Sequence, residues 1–121
     1  MKTNPHIYSH KLIQKSELKT FENTDSFEIM KKAARTSFEY INKNFKFQKI
    51  LIICGPGNNG GDGILIAKYF SDRKKNITIF APLQLGKTQD SKKALNELQN
   101  KNLIKENINF DEYDLIIDSL F

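Results

Sequence analysis

Cysteine is nearly absent from this sequence, because Cys54 is the only one among 121 residues. A single thiol excludes an internal disulfide, which agrees with a reducing compartment. Long apolar runs are absent too: no stretch approaches the roughly 18 residues of a membrane-spanning helix, and residues 1–19 lack the apolar core of a secretory signal. We therefore expect a cytoplasmic protein that does not associate with membranes.

Histidine is also scarce, since only His6 and His10 occur and both lie in the N-terminal tail. A nucleophilic cysteine is normally activated by a neighbouring base. Cys54 instead ends an apolar run, far in sequence from either histidine. We interpret it as a small buried residue.

Basic residues outnumber acidic ones and give a formal net charge of +5. The lysines are scattered and often share predicted helices with Glu or Asp, so we interpret them as a solvated surface and expect no nucleic-acid partner. An apolar fraction of 39% and nine phenylalanines are typical of a folded globular protein, and a mean hydropathy of −0.52 indicates that much of its surface is polar. The length of 121 residues suits one domain.

The first part of the chain predicts helices. Residues 1–11 have little apolar pattern and predict a loose lead-in, and residues 12–21 predict a short helix. A longer helix follows, because Asp25 and Glu28 have capping-box spacing. Its apolar residues recur on one face, as expected of a helix packed on a core. These residues are Phe27, Met30, Ala34, Phe38 and Ile41.

The rest of the chain alternates strands and helices. Apolar runs predict buried parallel strands at residues 49–54, 77–80 and 114–118. One intervening helix follows the glycine-rich turn and runs to Phe70. The other covers residues 90–100 and is predicted to bury Ala94, Leu95 and Leu98. This alternation predicts an α/β fold with a three-layer, Rossmann-like parallel sheet. Because three strands are visible and no helix follows the third, we expect a single domain, residues 1–121, that is incomplete at the C-terminus.

Five of the six glycines lie in one turn, residues 54–63, which reads Cys-Gly-Pro-Gly-Asn-Asn-Gly-Gly-Asp-Gly. A helix N-terminus reached through glycines offers unpaired N–H groups and a positive dipole end, so it can hold an anion. Gly55, Gly57 and Gly60 match G-x-G-x-x-G, but the second strand lacks the acidic residue that binds ribose in dinucleotide sites. A P-loop is excluded because no Gly-Lys-Ser/Thr follows.

Asn58, Asn59 and Asp62 distinguish this turn from both motifs. Two amides and a carboxylate offer donors and oxygen ligands, a mixture suited to a polar ligand or a hard cation. Each residue also has a purely structural interpretation, in which Asn tolerates a left-handed backbone and Asp62 caps the next helix. For the whole run together, a binding site is the better interpretation.

Residues 54–63 resemble the signature of the NAD(P)H-hydrate epimerase family, also called the YjeF N-terminal domain. Upstream, residues 16–19 (Ser-Glu-Leu-Lys) and 30–35 (Met-Lys-Lys-Ala-Ala-Arg) are similar to its opening helices, although Ala34 stands where glycine is common. Downstream, residues 116–121 (Ile-Ile-Asp-Ser-Leu-Phe) resemble its third-strand motif. The resemblance covers the chain from about Leu12 to the end.

This resemblance implies an isomerase that interconverts the R and S epimers of hydrated NADH and NADPH in cofactor repair, with a fused or separate dehydratase as its partner. It implies a substrate-binding stretch of Asn58, Asn59, Gly60, Gly61 and Asp62. It also implies a potassium ion held by Asn59 and Asp118, and a homodimer is common in the family. The catalytic acid or base is expected beyond Phe121, so the 121-residue chain is expected to be inactive alone.

Two alternatives remain beside the enzyme. One is a non-catalytic ligand-binding or scaffold module of the same fold, and the other is an ordinary dinucleotide-dependent oxidoreductase. The missing ribose-binding carboxylate disfavours the oxidoreductase, and the presence of Asp62 and Asp118 with both asparagines favours the enzyme over a scaffold. A catalytic lysine after the second strand has been proposed for some family members, but Leu83 stands at that place here, and we interpret Lys87 as a solvated loop residue.

Overall fold

The computed structural model describes residues 6–9 and 25–121. These residues form a five-stranded parallel sheet with three α-helices packed on it. The strands are β1 (His6–Ser9), β2 (Ile50–Cys54), β3 (Ile77–Phe80), β4 (Ile104–Lys105) and β5 (Leu115–Ser119). The helices are α1 (Ser26–Asn44), α2 (Asn58–Asp72) and α3 (Gln89–Glu97), with 3-10 turns at Lys101–Leu103 and Phe110–Glu112. The predicted α/β class with a parallel sheet is confirmed.

The strand order is β1-β5-β2-β3-β4, and every neighbouring pair is parallel. From β2 the chain proceeds through α2 to β3 and through α3 to β4. It then crosses back over the sheet and places β5 on the other side of β2. This reversal creates a topological switch point between the carboxyl ends of β2 and β5, where open α/β sheets bind their ligands.

The sequence predicted three strands, and the described residues contain five. The predicted lead-in over residues 1–11 is wrong for His6–Ser9, which pairs with β5 from His6 opposite Leu115 onward. β1 is a short edge strand whose Ile7 is 66% exposed, and β4 has two residues, so neither leaves an apolar pattern. Backbone pairing rather than side-chain burial defines both strands. The helix predicted over residues 12–21 lies outside the described residues.

α1 begins and packs as predicted. The Asp25 carboxylate accepts a hydrogen bond from the Glu28 N–H at 3.3 Å, and all five predicted core residues of the helix are buried. Phe38 lies edge-on to the rings of Tyr69 and Phe70, with ring centroids 5.7 and 4.7 Å apart. Such aromatic pairs contribute about 0.5–1.5 kcal/mol each beyond their buried area. They attach α1 firmly to α2.

α2 is the most deeply buried helix, and Ile64, Leu65 and Ile66 have no exposed surface. It begins at Asn58 with Gly57 as the N-cap. Asp62 therefore lies inside the helix and does not cap it, so the structural interpretation of Asp62 as a cap is wrong. The backbone is still extended at Gly57 and turns helical at the next residue, several positions before the apolar periodicity begins.

α3 is shorter than predicted at its C-terminal end, because it stops at Glu97. Ala94 and Leu98 are buried as expected, whereas Leu95 is half-buried. Within the described part of the chain, no helix has both the length and the apolar character needed to cross a bilayer.

The three helices cover one face of the sheet, where strand residues such as Ile52 and Ile117 join the main apolar core. The opposite face carries a smaller cluster of Leu51, Tyr113 and Ile116, which includes a residue of the connection from β4 to β5. Because crossovers are right-handed, connections that run across the sheet in one direction lie on one face. A connection that runs in the opposite direction lies on the other face. Helical cover of the second face, which a three-layer fold requires, is not among the described residues.

Ser37 is a buried hydroxyl in α1. Its side chain is 1% exposed, and its Oγ makes no hydrogen bond within the described part of the chain. Because alanine removes this unsatisfied atom and favours the helix, we expect Ser37→Ala to raise the free energy of unfolding by about 1 kcal/mol. Chemical denaturation tests this, with Thr36→Ala in the same helix as the control for helix propensity. A less stable Ser37→Ala protein would contradict the expectation.

Candidate functional site

The glycine-rich turn after β2 contacts the end of β5 at the switch point. The Gly55 N–H donates to the Ser119 carbonyl at 3.2 Å, which extends the pairing of β2 with β5. The two chains are so close that a Cβ added to Gly55 would lie 1.7 Å from the Leu120 carbonyl oxygen. Residues 54–63 and 116–121, which carry the family resemblance, therefore form one site.

The N-terminus of α2 opens onto this site. Its N-cap, Gly57, has no side chain to accept a first-turn N–H, and an added Cβ there would meet no atom within 4 Å. The Gly61 N–H makes a helical bond to the Gly57 carbonyl at 3.1 Å. The N–H groups of residues 58–60 come before it and have no intrahelical acceptor. With the helix dipole they form a positive end suited to an anion.

Asn59 connects α2 to the end of β5. Its Nδ2 donates to the Phe121 carbonyl at 2.7 Å, and its own backbone carbonyl accepts the hydroxyl proton of Ser119. Ser119 is fully buried, so this second bond lies in the interior of the site. Both bonds leave the Oδ1 atom of Asn59 without a donor among the described residues. This oxygen is therefore available to accept a further hydrogen bond or to bind a ligand.

Asp118 lies in β5 and is paired with Ile53 of β2. Its neighbours Ile117 and Ser119 face the helices, so its own side chain faces the other side of the sheet and is exposed. One carboxylate oxygen, Oδ1, accepts the Leu120 N–H at 3.1 Å. Asp118 and Asn59 are thus both tied to the segment that follows β5, from opposite sides.

Asp62 and Cys54 are the buried members of the glycine-rich segment, residues 54–63, that could carry chemistry. Asp62 is 8% exposed, and Cys54 has no exposed surface. Burial raises the pKa of the Cys54 thiol far above its usual range, and the Asp62 carboxylate raises this pKa further. The thiol therefore stays protonated, which confirms Cys54 as a buried residue rather than a nucleophile.

Thr88 and Ser91 belong to the site although the sequence interpretation missed them. Thr88 is the N-cap of α3, and its hydroxyl contacts the side chain of Asn58. The Ser91 hydroxyl lies within hydrogen-bond distance of the Pro56 carbonyl, at 3.2 Å, and of the Thr88 carbonyl, at 3.0 Å. The only available signal was the spacing of Thr88 and Ser91, which is that of a capping box and indicates a helix start rather than a ligand site.

The loop after β3 contains Leu83, which stands where some family members have a lysine, and Lys87, which follows four residues later. Leu83 is 47% exposed, and Lys87 is exposed as well. Lys87 contacts the glycine-rich turn only through its backbone N–H, which donates to the Pro56 carbonyl at 2.9 Å. Its exposed side chain agrees with the interpretation of a solvated loop lysine.

A parallel sheet with a glycine-rich helix start at its switch point, flanked by an amide and a carboxylate, defines a ligand-binding domain of the open α/β class. A family model described as YjeF-related protein N-terminus matches residues 26–121. The chain belongs to this family, as the resemblance predicted.

Relatives of the chain include named repair enzymes. It is 35% identical over 127 residues to the bifunctional NAD(P)H-hydrate repair enzyme Nnr of Dictyoglomus turgidum, covering 92% of this chain and 25% of that protein. It is 30% identical over 99 residues to the NAD(P)H-hydrate epimerase of Entamoeba histolytica, covering 78% and 44%. With the NAD(P)H-hydrate epimerase of Plasmodium knowlesi it shares 40% over 82 residues, covering 63% and 27%. The chain thus spans less than half the length of each relative.

A solved yeast protein has a similar fold. It superposes with a TM-score of 0.55 at 22% identity, over 93% of this chain and 47% of the yeast chain. At this identity the likeness concerns the fold alone.

Proposed function

We propose that the full-length protein containing this chain interconverts the R and S epimers of hydrated NADH and NADPH. The contact between residues 54–63 and 116–121 carries the proposal. Two motifs distant in sequence meet at the switch point through the Gly55–Ser119 and Asn59–Phe121 hydrogen bonds. The names of the relatives, which include NAD(P)H-hydrate epimerases, support the same substrate class.

The chemistry requires a proton and a water molecule. The reacting carbon, C6 of the nicotinamide ring, carries a hydroxyl and neighbours the ring nitrogen. When that hydroxyl leaves with a proton as water, the nitrogen lone pair stabilises the remaining iminium ion. Water then adds to either face and loses a proton, so the epimers exchange without net change in atoms. The protein must hold the ring and supply a general acid or base.

The five residues of the predicted substrate-binding stretch divide by exposure. Asn58 and Asn59 present amides at the surface, and the N–H groups at the start of α2 suit the phosphates of the substrate. Gly60, Gly61 and Asp62 are buried beneath them. We assign substrate contact to the two asparagines and the first-turn N–H groups, and support of that surface to the three buried residues.

Potassium is the proposed ion, and the chemistry of the donor set fits it. The Oδ1 atom of Asn59 and the second carboxylate oxygen of Asp118 are hard ligands, one neutral and one anionic. A bound potassium ion would supply positive charge at the end of β5. Asn59 and Asp118 would hold it while their other atoms keep the segment after β5 in place.

The proton-transfer group is proposed to lie outside these 121 residues. Cys54 does not serve as this group, because it is buried and its thiol stays protonated. We also propose that a dehydratase, fused or separate, consumes one epimer. Because the dehydratase accepts only one epimer, epimerisation makes the other epimer available to it.

The test is an assay of the full-length protein with the purified R epimer of hydrated NADH. We expect the S epimer to appear on the order of 10³-fold faster than spontaneously, a modest acceleration for an enzyme. Chromatography that separates the epimers follows the reaction in potassium chloride and in sodium chloride. Turnover at the spontaneous rate would reject the enzyme, and binding of hydrated NADH without turnover would favour the ligand-binding module.

A further inference from the structure

The start of α3 is bonded to the glycine-rich turn through two hydroxyl groups. Thr88 Oγ1 donates to Asn58 Oδ1, and Ser91 Oγ lies 3.2 Å from the Pro56 carbonyl and 3.0 Å from the Thr88 carbonyl, either of which can accept its proton. Thr88 and Ser91 also form a reciprocal capping box, in which the Ser91 N–H donates to Thr88 Oγ1 at 3.1 Å and the Thr88 N–H donates to Ser91 Oγ at 3.0 Å. Thr88 therefore caps one helix and contacts the first residue of another.

The Thr88 hydroxyl has one proton and two acceptors within reach, Asn58 Oδ1 and Ser91 Oγ, the latter at 2.9 Å. Ser91 Oγ has one lone pair left after it accepts the Thr88 N–H, whereas Asn58 Oδ1 accepts no other hydrogen bond among the described residues and is therefore the better acceptor. An amide that accepts through Oδ1 must turn its NH₂ group the other way. Because Asn58 is exposed, that NH₂ group is presented at the site.

We propose that Thr88 is a positioning residue that orients the Asn58 amide, so that Nδ2 faces the substrate as a hydrogen-bond donor. The substrate groups it fits are acceptors, such as the carboxamide oxygen of the nicotinamide or a phosphate oxygen. A turned Asn58 would present an oxygen to the same acceptor and repel it. The proposal rests on the assignment of Asn58 to the substrate surface under the proposed function.

The informative substitution is Thr88→Asp. Aspartate is a good N-cap, so it keeps the bond from the Ser91 N–H. An ionised carboxylate has no proton to donate, so it reverses the Asn58 amide, and Nδ2 now donates to it. We expect hydrogen exchange of one Asn58 Nδ2 proton to slow by about tenfold or more, as a charge-assisted hydrogen bond forms.

NMR of the full-length protein with ¹⁵N-labelled asparagine measures this exchange, and Asn58→Ser identifies the signal. X-ray maps do not distinguish amide nitrogen from oxygen at ordinary resolution, which is why exchange is the readout. Thr88→Ser keeps the hydroxyl and should match the wild type. If Thr88→Asp does not fold, Thr88→Val provides the test. We then expect ¹⁵N relaxation to show that the Asn58 amide is more mobile than in the wild type. Unchanged Asn58 signals in the folded variant would overturn the proposal.

Kinetics with the R epimer of hydrated NADH give the second readout. We expect Thr88→Val to raise KM about tenfold, with a smaller change in kcat, as for one lost hydrogen bond, and Thr88→Ser to restore the wild-type KM. Asn109→Ala is the control, because it removes a capping bond to the Asp111 N–H before β5, away from the site. An equal KM rise in Thr88→Val and Asn109→Ala would overturn the proposal. If the wild-type protein is inactive, only the epimerase function is rejected, because NMR still reports the orientation of the Asn58 amide.

Discussion

Replacing Gly55 with alanine is expected to lower the free energy of unfolding by about 3 kcal/mol or more. The new methyl group would lie 1.7 Å from the Leu120 carbonyl oxygen, and backbone, unlike a flexible side chain, cannot move aside cheaply. Relief requires β2 and β5 to separate, which breaks the Gly55–Ser119 hydrogen bond. Urea denaturation of the full-length protein measures the loss, and epimerase activity should fall with it.

Gly57→Ala is the matched control two residues away. An added Cβ at Gly57 meets nothing within 4 Å, and the backbone there is extended, with φ of −92°. We expect a cost of about 1 kcal/mol or less, because alanine is only a poorer N-cap than glycine. Gly60→Ala should resemble Gly55→Ala, since its Cβ would lie 1.8 Å from the Gly55 carbonyl oxygen. Similar small costs at all three positions would refute the packing argument.

Asp118→Asn is expected to lower kcat/KM at a fixed potassium concentration by about 100-fold, the scale of losing a preorganised charge in an active site. The amide keeps an oxygen that can accept the Leu120 N–H, so the loop geometry and the stability should survive. Only the negative charge disappears, which weakens binding of a cation. Activity should therefore recover partly as potassium chloride is raised, and the initial rate of epimerisation measures this recovery.

Asp111→Asn is the control for a general charge effect, because Asp111 is an exposed carboxylate in the 3-10 turn that precedes β5, at the other end of the strand. Its potassium dependence should equal that of the wild type. If Asp118→Asn keeps wild-type turnover and wild-type potassium dependence, the proposed potassium site at Asn59 and Asp118 is wrong. A sodium chloride series separates ion specificity from ionic strength.

Periodicity and glycine placement made much of this molecule predictable. The apolar face from Phe27 to Ile41 specified α1, and the runs that became β2, β3 and β5 were recognisable because strands buried on both faces need continuous apolar residues. The segments around Asn59 and Asp118 could be assigned to one site because the carboxyl ends of parallel strands meet at one edge of a sheet. Their common edge is confirmed, and their role with potassium stays a prediction.

The sequence by itself therefore determined the fold class, the core and the edge of the sheet where the site lies, since these depend on local patterns of burial. Tertiary structure alone decided the rest. β1 and β4 exist through backbone pairing, and Gly55 must be glycine because the backbone of Leu120, distant in sequence, lies against it. The contact of Thr88 with Asn58 likewise joins residues thirty positions apart. Such contacts depend on how the chain returns across the sheet, which no local pattern encodes.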